Sequence, residues 1–180
     1  KTYKRMAVRI SINNSEKLSK IIKEITGVRL TSPITGITTD SRDCEPGDLY
    51  IALLGDRSNG HHYLQDVDAM DASAALISER NSNQELNLYQ IIVEDTRKTL
   101  GLIANKWRNI FNIPVIAITG SNGKTSTKEL LYHVLKDKYN VHATEGNYNT
   151  SIGLPLSLFG INKNHDISII EMGANQPGDI

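Results

Sequence analysis

Cysteine is almost missing from this chain, with Cys44 alone in 180 residues. No internal disulfide can form and no cysteine-rich metal site can be built. An excess of either charge is missing too. The 20 basic and 20 acidic side chains cancel, which removes any general attraction to nucleic acid or to an anionic membrane. Long apolar runs are also lacking: runs such as residues 49–54 and 167–170 fall far short of the roughly 20 residues of a membrane span. No secretory signal opens the chain, since the short basic head at 1–5 leads into an alternating, strand-like segment at 6–12 and not into an uninterrupted apolar core. Met6 is a candidate start residue with five residues before it. Internal repeats and low-complexity tracts are absent. The expected setting is soluble, reducing and cytoplasmic.

What is present is an alternation of helical and strand patterns. Ser15 is placed to cap a helix whose apolar face is Leu18, Ile21, Ile22 and Ile25, with Gly27 as its stop. Residues 37–40 and 49–54 read as strands separated by a Pro-Gly-Asp turn at 46–48. A short helix is predicted at 62–70, a strand at 74–78, a polar loop at 81–87 and a strand at 90–94. Residues 96–108 place Leu100, Ile103, Ala104 and Trp107 at helical spacing behind Asp95 or Thr96 as cap. A second α/β unit then opens with a strand at 115–119. Its helix at 124–138 is expected to bury Leu130, Leu131, Val134 and Leu135, followed by a strand at 141–143, a helix at 152–159 despite Pro155, and a strand at 167–170. That last strand is apolar on both faces, as a central parallel strand should be. The fold class is thus α/β: a small amino-terminal α/β domain at 1–95, then the beginning of a parallel-sheet domain of the phosphate-loop type at 96–180, with the 96–108 helix bridging them.

Residues 116–129, I-A-I-T-G-S-N-G-K-T-S-T-K-E, carry the most chemistry. An apolar strand enters a glycine turn, and the turn hands over to a helix opening with Lys124, Thr125 and Ser126. Backbone N–H groups at a helix N-terminus point at an anion, the helix dipole favours negative charge there by about 0.3–1 kcal/mol, and a lysine supplies a full charge. Gly120 and Gly123, with Ser121 and Asn122 between them, let the main chain approach phosphate oxygens with no Cβ in the way. The Thr125 hydroxyl is placed to ligate Mg²⁺. The spacing departs from the common G-x-x-x-x-G-K-[ST] pattern, because Ile118 stands where its first glycine would be. A tight strand-to-helix turn with an exposed lysine is the plain alternative.

Glu171 follows the apolar I-S-I-I at the end of a strand, where a carboxylate is costly without a partner. In phosphate-loop folds such a carboxylate beside the loop strand reaches the Mg²⁺ held by the loop hydroxyl; the alternative is a strand-end glutamate facing water. Between loop and carboxylate, residues 144–156 (T-E-G-N-Y-N-T-S-I-G-L-P-L) are rich in neutral hydrogen-bonding groups that orient a polar substrate without imposing charge. Asn149, Thr150 or Ser151 also suits a helix cap, and both uses are compatible. His61 and His62 have no second cluster at ligand spacing, and His133, His142 and His165 are scattered, so these three are expected as surface or packing residues. Cys44 lacks the neighbours of a nucleophile, and Trp107 falls on an apolar helix face.

Three segments, T-G-S-N-G-K-T-S-T-K-E, G-N-Y-N-T-S-I-G-L-P-L and E-M-G-A-N-Q-P-G-D-I, follow one another as they do in the Mur ligases of peptidoglycan synthesis. T-T-D-S-R at 38–42, P-G-D-L-Y-I-A-L-L-G at 46–55 and S-N-G-H at 58–61 resemble the first domain of that family. The resemblance spans about 34–180 and is strongest to the branch that joins D-alanyl-D-alanine to UDP-N-acetylmuramoyl-tripeptide. It implies an ATP-dependent ligase that activates a carboxylate as an acyl phosphate. Lys124 would hold the β- and γ-phosphates of ATP, Thr125 and Glu171 would bind Mg²⁺, and residues 120–126 would form the nucleotide cradle. Asp40, Ser41, Arg42, Asn59, Gly60 and His61 would bind the UDP-sugar end of the substrate; Asn147, Asn149 and Thr150 would lie near its peptide or the nucleotide. A monomer is expected for the full-length form, and the balanced charge and short apolar runs predict no nucleic acid partner and no membrane insertion. Two departures stand out. Asn59-Gly60-His61 replaces the usual D-G-H, which removes a charge, and family members continue into a complete central domain and a third domain. The expectation is therefore half of an active site, inactive alone; a non-catalytic module that binds the UDP-muramoyl precursor is the alternative.

Overall fold

A computed structural model describes residues 9–55, 58–80, 86–146 and 148–173. The chain divides into two compact units, Lys1–Ile103 and Ala104–Ile180.

The first unit is built on five strands, β1 (Arg9–Ser11), β2 (Gly36–Thr38), β3 (Asp48–Ile51), β4 (Ala74–Ile77) and β5 (Tyr89–Ile92), in the order β1-β2-β3-β4-β5. β1 runs antiparallel to β2, and every other pair is parallel. Strands β3 and β4 are buried along their whole length, which is why they read as continuous apolar runs. Tyr50 and Ala52, with Ala75 and Ile77 beside them, face one core shared with Cys44, Leu64, Val67 and Leu88. Asp48 is the polar exception in β3. Its buried carboxylate accepts from Arg9 Nε at 2.7 Å and Nη2 at 2.8 Å, a two-point pair that offsets the cost of burying the charge and pins β1 to the sheet.

Helix α1 (Ser15–Thr26) ends on Gly27 as its sequence indicates, with Gly27 left-handed at φ 74° and its N–H returned to Lys23 O. Its start differs by one residue. Asn14 is the cap, accepting from Lys17 N at 3.1 Å, while the Ser15 hydroxyl accepts from Ile34 N at 2.6 Å and ties the helix to the chain entering β2. The short helix predicted at 62–70 is a 3-10 turn, Gly60–Tyr63, running into α2 (Leu64–Ala69). Helix α3 (Thr96–Asn109) is capped by Asp95, whose carboxylate accepts from Lys98 N at 2.9 Å; the division between the units falls inside it.

The second unit contains β6 (Val115–Ile118), α4 (Lys124–Leu135), β7 (Val141–Ala143), α5 (Gly153–Phe159) and β8 (Ile167–Glu171). The sheet order is β6-β8-β7, all parallel, so β8 is the central strand its two apolar faces announce. Pro155 sits in the first turn of α5, where its missing N–H costs no helical bond. Trp107 is buried against Phe159, with ring centroids 6.2 Å apart, and its Nε1–H donates to Ile161 O at 3.2 Å. One expectation is overturned. Of the apolar side chains on α4, Leu131 and Leu135 are half-buried, but Leu130 and Val134 are 68% and 74% exposed. The apolar stripe is wider than the part of the helix that three strands cover, and the buried α4 residue is Lys128. Among the described residues no helix is long and apolar enough to cross a membrane.

Candidate phosphate-binding site

The site grows from the end of β6. Gly120 takes φ 143° and Gly123 φ 76°, conformations that L side chains rarely adopt, and Gly123 stands as the cap of α4. The first bond of the helix is Thr127 N–H to Gly123 O at 2.9 Å, so the N–H groups of Lys124, Thr125 and Ser126 precede any intrahelical acceptor. Residues 120–123, 125 and 126 are exposed and Lys124 is half-buried. The Lys124 ammonium donates to Gly120 O at 2.7 Å, closing the turn with one of its three donors.

Register brings the carboxylate to this turn. Ile118, the last residue of β6, pairs with Glu171, the last of β8, and Met172 N–H donates to Ile118 O at 2.9 Å. Glu171 is 2% exposed and does not face water. Thr125 Oγ1 donates to Glu171 Oε2 at 3.0 Å, Asn149 Nδ2 donates to Oε1 at 2.8 Å, and the Glu171 N–H donates to Thr144 Oγ1 at 3.0 Å. Two neighbouring oxygens on an octahedral ion with bonds of roughly 2.1 Å lie roughly 3.0 Å apart, so the Thr125 hydroxyl and the Glu171 carboxylate fit adjacent positions on Mg²⁺. Among the described residues no group of three or more His, Cys, Asp or Glu gathers. That donor set suits an ion held by one carboxylate and one hydroxyl, with phosphate and water completing its shell.

The residues between loop and carboxylate divide their roles. Asn149 bonds Glu171 by its side chain and accepts Gly173 N–H on its carbonyl at 2.7 Å. Thr150 Oγ1 accepts from Gly153 N at 3.1 Å and ties the loop to the first residue of α5. Asn147 lies outside the described residues, as does everything after Gly173. Two side chains have no individual role in the sequence pattern: Thr144, which bonds the Glu171 backbone, and Lys128, whose ammonium donates to Thr144 O at 2.7 Å. Lys128 stands four residues after Lys124 and hence on the same helix face, a spacing visible in the sequence.

In the first unit the named residues follow the carboxyl ends of two adjacent parallel strands, the edge where open α/β sheets take ligands. Asp40 caps the 3-10 turn Ser41–Asp43, accepting from Arg42 N at 3.0 Å, and it also holds the Arg42 guanidinium at 2.9 and 2.7 Å. Asn59 caps the turn Gly60–Tyr63 in the same way, through His61 N at 2.9 Å. Gly60 fits where it does because a Cβ would lie 2.8 Å from Leu53 N and 3.0 Å from the Tyr50 hydroxyl. His61 is buried. Its Nδ1 is 2.6 Å from Asn59 Oδ1 and its Nε2 accepts from Ser78 N at 2.9 Å, which fixes the neutral tautomer with the proton on Nδ1. Burial lowers its pKa, consistent with that neutral ring. Both ring nitrogens are thus engaged within the fold. Cys44 is buried, and burial pushes its thiol up to about 11.

Comparison with known proteins covers both units. Residues 33–108 match the Mur ligase family, catalytic domain, and residues 118–179 match the Mur ligase middle domain. The chain is 44% identical over 147 residues to the UDP-N-acetylmuramoyl-tripeptide–D-alanyl-D-alanine ligase of Buchnera aphidicola subsp. Baizongia pistaciae, an overlap of 82% of this chain and 32% of that protein. Among solved structures, MurF from Acinetobacter baumannii superposes with a TM-score of 0.83 at 32% identity, over 89% of this chain and 36% of that one. MurF ligase from Thermotoga maritima, solved in complex with ADP, gives 0.72 at 36% identity over 79% of this chain and 33% of that one. The chain spans about a third of the length of the curated relatives it matches. Since the matches to both units fall in one family, the chain belongs to the Mur ligases.

Proposed function

We propose that this chain supplies the precursor-binding and phosphate-binding parts of an ATP-dependent ligase that joins D-alanyl-D-alanine to UDP-N-acetylmuramoyl-tripeptide in peptidoglycan synthesis. The observation that carries the reading is the contact of Thr125 with Glu171 at the head of α4, beside Lys124. A similar protein solved in complex with ADP supports a nucleotide as the ligand of this turn.

The reaction must bring two anions together, a substrate carboxylate and a triphosphate. Lys124 and the N–H groups at the start of α4 neutralise and orient the β- and γ-phosphates, stabilising the charge that spreads over the transferring phosphoryl group. Thr125 and Glu171 would hold Mg²⁺, which when bound neutralises phosphate oxygens. Asn149 keeps Glu171 aimed at the turn, and with Thr150 it serves the peptide end of the substrate or the nucleotide. Asp40, Ser41, Arg42, Asn59, Gly60 and His61 serve the UDP-sugar end, His61 by bracing its turn. Phosphoryl transfer gives an acyl phosphate, the amine of D-alanyl-D-alanine attacks it, and phosphate leaves. The need for ATP places this work in the cytoplasm, with the full-length protein acting as a monomer.

The test is Lys124→Ala in the intact enzyme. Formation of the UDP-muramoyl-pentapeptide from UDP-muramoyl-tripeptide, D-alanyl-D-alanine and Mg·ATP should fall by about 10²-fold or more, with precursor binding retained. Turnover at the wild-type rate would refute the assignment.

A further inference from the structure

Helix α4 carries a second lysine one turn beyond Lys124, and it is buried. Lys128 is 4% exposed, a costly place for an ammonium that a surface position would hold freely. Two contacts compensate it. Its Nζ lies 3.0 Å from Glu129 Oε1, and it donates to the carbonyl of Thr144 at 2.7 Å. The Glu129 side chain is half exposed, so that pair alone gives no reason to draw the lysine inside. The Thr144 carbonyl does.

Thr144 is the residue after β7 and is itself buried. Its N–H donates to Ile169 O at 2.9 Å, continuing the β7–β8 ladder by one step, and its hydroxyl accepts the Glu171 N–H at 3.0 Å. The contacts form one line from α4 to the carboxylate: Lys128 ammonium, Thr144 carbonyl, Thr144 hydroxyl, Glu171 backbone. The Glu171 side chain is then fixed by Asn149 on one oxygen and Thr125 on the other. Lys124 and Lys128 thus leave the same helix face one turn apart, the first toward the glycine turn and the second toward the strand end that sets the metal-facing carboxylate.

We propose that Lys128 is a positioning residue which, through Thr144, holds Glu171 in the place where the turn takes a divalent cation with a nucleotide. The inference rests on the phosphate-loop reading of Lys124 and Thr125. Groups that orient a metal ligand without touching the metal change its affinity by about 10- to 100-fold when removed. A lysine serving stability alone would change the melting temperature and leave cation affinity intact.

The experiment measures Mn²⁺ binding by the intact enzyme in the presence of ADP, from the electron paramagnetic resonance signal of free Mn²⁺, well below the melting temperature of each variant. Lys128→Met and Thr144→Val should each weaken Mn²⁺ binding by about 10- to 100-fold. Thr144→Ser, which keeps the hydroxyl, should stay near the wild type. Because both residues act along one line, the double variant should fall little further than the weaker single variant. Wild-type affinity in Lys128→Met overturns the inference while leaving the phosphate-loop reading in place. If wild-type protein binds no Mn²⁺ with ADP, that reading itself fails. Should Lys128→Met not fold, the Thr144 pair decides: equal affinity in Thr144→Val and Thr144→Ser overturns the line from Thr144 to Glu171.

Discussion

Lowering the pH from 7 to 5 should destabilise the second unit by about 2 kcal/mol through one side chain, His142. This residue on β7 has Nδ1 2.8 Å from Ser168 Oγ and the ring of His165 at 5.2 Å between centroids. Its Nε2 edge meets Gly160 so closely that a Cβ there would lie 2.8 Å away. Burial pushes its pKa down to about 4, the positive charge of His165 adds to the effect, and the Ser157 carbonyl works weakly against both. In the unfolded chain the same imidazole titrates near its ordinary value of about 6.5. At pH 7 it is neutral in the native state and about three-quarters neutral in the unfolded chain, so the two states differ little. At pH 5 the unfolded form is almost fully protonated and the native form about one-tenth so, and the difference in bound protons integrates to about 2 kcal/mol in favour of unfolding. Stability is therefore complete above about pH 6.5, declines as pH falls toward about 4, and loses nothing more from this group below that. Urea denaturation at pH 7 and pH 5, followed by the fluorescence of the single tryptophan, Trp107, reads the correct unit because Trp107 lies within it. His142→Gln removes the titration and leaves the remaining histidines and carboxylates in both proteins. The wild type should lose about 2 kcal/mol more than the variant between the two pH values. An equal loss in both would refute the reasoning.

Two further outcomes are expected. Cys44, buried with its thiol raised to about 11, should react with a disulfide reagent at pH 8 only after unfolding; rapid labelling of the native protein would contradict its placement in the core. Gly123→Ala has open space around the added methyl group, so its cost comes from the backbone at φ 76° alone, about 1–2 kcal/mol. The Trp107 urea titration would show it as an earlier midpoint, and an unshifted midpoint would mean that the turn does not need its left-handed cap.

Local rules made much of the fold legible. Gly27 stops α1 because only a residue tolerant of positive φ closes a helix that way, Asp95 caps α3, and the two apolar faces of β8 place it between β6 and β7. The glycine turn of 120–123 was readable for the same reason: a strand, two glycines and a lysine at a helix start are neighbours in sequence as well as in space. Where neighbours compete, the sequence gives less. Asn14 and Ser15 can each cap a helix, and the choice follows from Ile34 N, which arrives from 19 residues away to take the serine.

The sequence by itself determined the α/β alternation, the phosphate-loop turn and the carboxylate at a strand end, because periodicity, caps and glycine conformations are set by residues a few places apart. Only the tertiary structure decided how these meet. Strand register put Glu171 beside Ile118 and within 3.0 Å of Thr125, a contact across 46 residues. The extent of the sheet left Leu130 and Val134 in the open, and the packing of α4 drew Lys128 inside. Side-chain partners set the role of His61, whose two ring nitrogens are engaged within the fold. Each outcome depends on which atoms arrive from distant parts of the chain, and hydrophobic spacing carries no record of that.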